Sequence, residues 1–189
     1  MTTTGLAAAF ICFGPPALPL AALTPCGSSL SAGCLVPRLG EDNPSRALEW
    51  AEFVRDNPKF SRARIRDPFV IGAVIDPGNC LDLLETDSIR IVEAAYQRLA
   101  EASSAAGVPM PENQRHGSEW AVRRLDCAVI NHVHEFSAKV GEVEFDSVRA
   151  AFVEGEPLYP GAGVHRRTHI QLCVRSTSQV IGYFRPHGS

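Results

Sequence analysis

The chain has 189 residues, 45% of them hydrophobic and 21% charged, which suits one globular domain with a core of its own. Its formal net charge of -3 excludes a global basic field that would draw it to nucleic acid or acidic membranes. Six cysteines (Cys12, Cys26, Cys34, Cys80, Cys127 and Cys173) form no Cys-x-x-Cys pair and no zinc-finger spacing. Their surroundings predict reduced, buried thiols and a cytoplasmic location.

Residues 1–40 carry a single charged side chain, Arg38. No Lys or Arg precedes the apolar run, as a secretory signal would require. Pro15, Pro16 and Pro19 break it short of a membrane span. Ordinary amphipathic patterning begins at Glu41. Two explanations stand for the atypical segment: a loosely packed N-terminal stretch, or a stretch read in a shifted frame. Residues 41–189 then form a single α+β domain.

"EDNPSRALEWAEFVRDNP" predicts a helix. Asp42 or Asn43 can cap it, Pro44 suits the first helical position, and Ala47, Ala51 and Val54 give its apolar stripe. "FVIGAVI" (Phe69–Ile75) predicts a buried strand, and "DPGN" after it a turn. "CLDLL" continues as extended chain. "TDSIRIVEAAYQRLAEASSAAG" predicts a helix capped by Thr86, stopped by Gly107, with Ile89, Val92, Tyr96 and Leu99 on its inner face. "VPMPENQRHG" reads as a loop. "SEWAVRRLDCAVINHVHEFSAKVG" reads as one long helix from a Ser118 cap to a Gly141 stop. "SVRAAFV", "THIQLCVRS" and "QVIGYF" predict three strands. Helices and strands are segregated along the chain, which favours α+β over a doubly wound sheet.

Several residues invite chemistry. His132 and His134 are two apart on a helix, so they cannot chelate one metal together. Asp126 fits a helix salt bridge or a loop cap. Asp76, Asp82 and Glu85 surround a turn, which recruits carboxylates for hydrogen bonding. "HIQL" (His169–Leu172) invites comparison with His-x-Thr/Ser phosphoesterases, but Gln171 takes the hydroxyl position and the second copy, "HGS", is at the extreme C-terminus. "HRRTH" (His165–His169) follows a Gly/Pro loop and offers guanidinium forks and imidazoles to a phosphate.

The C-terminal part, read with the helix after Glu41, resembles the ADP-ribosyltransferase fold of the diphtheria-toxin and poly-ADP-ribose polymerase type. "FDSVRAAFVEGEPLYPGAG" (Phe145–Gly163) resembles that family's segment leading into a loop before a strand. "THIQLCVRSTSQVIGYF" (Thr168–Phe184) resembles its closing strand pair, and "NPSRALEWA" the helix after its Gly-x-Tyr-Phe strand. The resemblance implies a split, mainly antiparallel β core with flanking helices. It implies NAD as substrate and transfer of ADP-ribose to a macromolecular acceptor, protein or nucleic acid. It places Gln171 where the family's catalytic Glu stands, and His165, Arg166, Arg167, His169 and Tyr159 at the cofactor. The family's His-Gly-Thr and Gly-x-Tyr-Phe strands have no counterpart in residues 1–40. The alternative is a non-enzymatic module whose basic loop contacts a phosphate-bearing or protein partner.

Overall fold

The computed structural model describes residues 7–13, 39–58, 65–116 and 119–186. Most of the atypical stretch 1–40 (residues 1–6 and 14–38) and the "HGS" terminus lie outside them. The architecture is α+β. A seven-stranded sheet runs in the order β4-β7-β8-β2-β1-β3-β9, where β1 is Ala7–Phe13, β2 Leu39–Glu41, β3 Phe69–Ile75, β4 Cys80–Asp82, β7 Ser147–Phe152, β8 His169–Val174 and β9 Val180–Phe184. Every pairing in it is antiparallel except β4 with β7. A small separate ladder joins β5 (Asn113–His116) to β6 (Glu119–Arg123). Among the described residues three α-helices complete the fold: α1 (Pro44–Asp56), α2 (Thr86–Ala106) and α3 (Arg124–Val140).

The helices share one face of the sheet, and the strand register shows why. Val148 on β7 packs with Leu81 against α2 and α3, while Val70 on β3 packs against Ala47 of α1. Side chains on a strand alternate between faces. Ala150, two residues from Val148, pairs with Gln171, Gln171 with Gly40, and Gly40 with Phe10. Cys12, two residues from Phe10, pairs with Val70. All these positions therefore lie on the same side. The opposite face carries its own core of Ala73, Ile75, Leu172 and Val174.

Local chemistry explains the element ends. The Asn43 side chain accepts from the Arg46 N–H at 3.0 Å and caps α1. Ala47, Ala51 and Val54 are its buried stripe, as predicted. Gly107 and Gly141 end α2 and α3 in the left-handed conformation, where glycine bears no Cβ penalty.

Four expectations are corrected. Thr86 opens α2 as its first helical residue, and Glu85 occupies the cap without a side-chain bond. Ala95, Val92 and Leu99 face the core, while Ile89 and Tyr96 are exposed, because α2 packs on α3 and not on a second layer beyond it. The expected Ser118 cap lies outside the described residues, and the long helix begins only at Arg124; Asn113–His116, expected as loop, and Glu119–Arg123 form the β5–β6 ladder, with Arg115 stacked 4.2 Å over the Trp120 ring. The cysteines are also not uniformly reduced. Cys80 and Cys127 form no disulfide, but Cys173 is disulfide-bonded.

Gly72 makes the edge strand possible. It pairs with Phe184 of β9, whose ring folds back over the glycine into the space that a Cβ would need. Gly72→Ala should push the ring outward and destabilise the fold by about 1 kcal/mol, the low end for overpacking, because the Phe184 ring is partly exposed at the sheet edge. Urea unfolding checks this, and an unchanged midpoint would remove the ring from the account of β9 docking. No helix among the described residues is long and apolar enough to cross a membrane.

Candidate functional site

The β7–β8 hairpin builds the site. Its two strands pair from Ser147↔Val174 to Phe152↔His169, and the ladder continues beyond them. The Arg167 N–H donates to the Glu154 carbonyl, the Arg166 N–H to Glu156, and the Leu158 N–H to Val164. A β-turn at Tyr159-Pro160-Gly161-Ala162 closes the tip, with the Ala162 N–H on the Tyr159 carbonyl at 2.9 Å and Gly161 at φ 81°. Pro then Gly at the two central positions is what a type II turn requires. The Gly/Pro-rich loop read from sequence is thus an ordered hairpin arm.

This arm spreads the predicted site residues out. Tyr159 sits at the tip and is 64% exposed. Arg166 and Arg167 are exposed on the returning strand. His165 is held at its base, where Nδ1 donates to the Gly155 carbonyl at 2.8 Å. His169 and Gln171, two residues apart on β8, come together on the helix-covered face.

His169 is buried and stacks on Phe152, with ring centroids 5.8 Å apart. Its Nδ1 lies 2.7 Å from the Arg167 carbonyl. A carbonyl only accepts, so Nδ1 carries the proton. The Nε2 atom lies 2.7 Å from Gln171 Nε2. In the neutral ring that nitrogen is an acceptor, and the Gln171 amide N–H donates to it.

Gln171 stands between the two smallest neighbours available. Its partners across the ladders are Gly40 on β2 and Ala150 on β7. The half-buried amide therefore has no bulky side chain at its cross-strand positions. The Asn43 carbonyl at the start of α1 lies 3.9 Å from where a Cβ on Gly40 would stand. At the β6–α3 junction the Arg123 guanidinium lies 4.6 Å over the Phe152 ring. The same Arg123 pairs with Asp126 at 3.5 Å.

Arg46 ties α1 to the base of the arm. Its Nη2 donates to Glu154 Oε2 at 3.0 Å, with side-chain exposures of 12% and 15%. Burying both charges is tolerable because they neutralise each other at hydrogen-bonding distance. Arg46 Nε is buried and has no hydrogen-bond partner.

A second charged cluster lies on the opposite face. Arg149 grips Glu41 with Nε and Nη2 and Asp82 with Nη1. Asp82 also accepts from the Leu84 N–H, and Asp76 from the Gly78 N–H, so these carboxylates serve turns and an ion-pair strut. Asp126 accepts from the Asn113 side chain at 2.7 Å and secures the β5–α3 approach. Burial pushes the nearby Cys80 thiol up, away from reactivity. His134 is buried against Phe145 with Nδ1 unpaired, and desolvation, aided by Arg175, lowers its pKa to about 4. Among the described residues no group of three or more His, Cys, Asp or Glu could hold a metal ion.

Sequence reading passed over Arg46, Arg123 and Arg149. Arg46 alone carried a signal, as a long cation in the first turn of a helix where the macrodipole disfavours it and a specific acid must answer it. Comparison of the chain with family models, with curated proteins and with solved structures gives no match.

Proposed function

We propose that this chain is an NAD-binding protein of ADP-ribosyltransferase type, directed at a macromolecular acceptor and slowed by the neutral Gln171. The observation that supports this reading is a half-buried amide on β8 between Gly40 and Ala150, next to a buried histidine, with the Arg123 guanidinium on the Phe152 ring that stacks on that histidine. A carboxylate at this position would stabilise an oxocarbenium-like sugar by charge, whereas an amide offers only a hydrogen bond.

Calorimetry with NAD, then incubation with labelled NAD and mixed protein and nucleic-acid acceptors, tests the reading. Absence of binding, hydrolysis and transfer together would overturn it. Binding without turnover would favour the non-enzymatic alternative. Gln171→Glu should raise NAD hydrolysis about tenfold, short of the full electrostatic effect of 10²–10³ because no second catalytic anchor stands among the described residues. A variant no faster than the parent would separate Gln171 from the chemistry.

A further inference from the structure

We infer that His169 is a positioning residue that holds Gln171 with its carbonyl oxygen outward, so that this point of the sheet face takes a neutral hydroxyl donor of a sugar and turns away carboxylates and phosphates. The sugar rests on the NAD-binding reading; the orientation of the amide does not.

The chain of constraint starts at the backbone. The Arg167 carbonyl has lone pairs only, so the 2.7 Å contact puts a proton on His169 Nδ1, and in the neutral ring Nε2 is then the acceptor. The ring cannot turn over without losing that bond. Its Nε2 lone pair is therefore fixed in direction, and at 2.7 Å it selects the NH2 end of the Gln171 amide. The opposite orientation would set a carbonyl lone pair against the Nε2 lone pair. A planar amide with its nitrogen turned to His169 presents Oε1 away from it. Oε1 has no hydrogen-bond partner among the described residues and, on a half-buried side chain, stands open to an incoming donor. A ligand O–H fits such an acceptor; an anion meets repulsion.

This pairing also gives a physical reason for Gln rather than Glu at position 171. A carboxylate there would need a second proton on the ring, at Nε2, to donate to it, so a neutral, Nδ1-protonated His169 and an amide are matched partners, and Gln171→Glu would bring an imidazolium with it.

The test is nitrogen NMR on uniformly 15N-labelled protein at neutral pH. The expected result is a protonated Nδ1 and bare Nε2 on His169, with a nitrogen–nitrogen coupling across the hydrogen bond to the Gln171 side chain. Adding NAD should shift the Gln171 amide signals, whereas inorganic phosphate or the 2',3'-dideoxy form of NAD should not. His169→Phe keeps the stack on Phe152 but removes Nε2. It should weaken NAD about fivefold, as should Gln171→Leu, and the double variant should be no worse than either alone. A proton on Nε2 with Nδ1 bare, a missing coupling, or a phosphate-induced shift would each overturn the inference. If NAD binds neither parent nor variants, the proposed function falls, while the tautomer and the coupling still decide the role of His169.

Discussion

Arg149→Leu should cost the fold roughly 3 kcal/mol, measured by urea denaturation at pH 7. Removing one member of a buried ion pair costs about 3–5 kcal/mol, because the partner charge stays behind without compensation. Here the side chains of Arg149, Glu41 and Asp82 are each about a quarter exposed, which places the loss at the lower end. The geometry is favourable: two bonds to Glu41, with Nη2 to Oε1 at 3.1 Å, and a third to Asp82 at 2.9 Å. Hydrogen bonding to Glu41, then to Asp82, raises the guanidinium pKa further above its ordinary value.

The strut spans the sheet from β4 through β7 and over β8 to β2. Without it, two carboxylates from distant parts of the chain face one another. Arg149→Lys keeps the charge but loses the fork, so it should recover about half of the loss. Salt should weaken the contrast only modestly for such partly buried groups. Glu41 adjoins Gly40, the residue that leaves room beside Gln171. Arg149→Leu should therefore also weaken any NAD binding, although Arg149 lies on the other face. A stability change under 0.5 kcal/mol would remove the strut from this account.

Local signals in the sequence carried the elements that depend on local chemistry. Phe69–Ile75 is an unbroken apolar run bounded by Pro68 and a Pro-Gly turn, and it is a strand over those same residues. The Asn43 cap and the Gly107 and Gly141 stops needed only their own backbone to be readable. The β5–β6 hairpin failed for the complementary reason. "SEWAVRRL" has good helix formers, and the strand state depends on an antiparallel partner and on the Arg115–Trp120 stack. Propensity cannot weigh a contact whose partner it does not see. The same limit applies at the centre of the sheet. β1 and β2 come from the compositionally atypical stretch, yet they hold positions between β8 and β3. The site divides in the same way. His169 and Gln171 share a strand face by simple alternation, so their meeting was legible. The Arg167 carbonyl that fixes the ring, and Gly40 from a strand more than a hundred residues away in sequence, follow from tertiary register alone.

Acid should destabilise the protein through His134, by about 3 kcal/mol between pH 6.5 and pH 4. The imidazole is 8% exposed, with Nδ1 unpaired among apolar neighbours and Phe145 edge-on to it. Desolvation is the main cause of its lowered pKa, and the positive charge of Arg175 adds to it, while Glu144 acts in the opposite sense. Arg175 is itself occupied by Glu144 at 2.9 Å and by the Phe145 carbonyl, so it does not relieve the histidine. The folded chain takes up this proton only near pH 4, from an ordinary value of 6.5. The unfolded chain takes it up at the ordinary value. Between the two the unfolded state binds more protons, so stability is full above about pH 6.5 and falls as pH drops towards 4. A difference of roughly 2.5 units at 1.36 kcal/mol each gives the stated loss. His134→Phe removes the titrating group while keeping a ring against Phe145, and it should flatten the stability curve across this window. The carboxylates that act at lower pH would still produce acid unfolding. A parent and variant with parallel curves between pH 6.5 and 4, or a ring-proton titration of His134 near 6.5, would show that the buried imidazole does not set the acid limit.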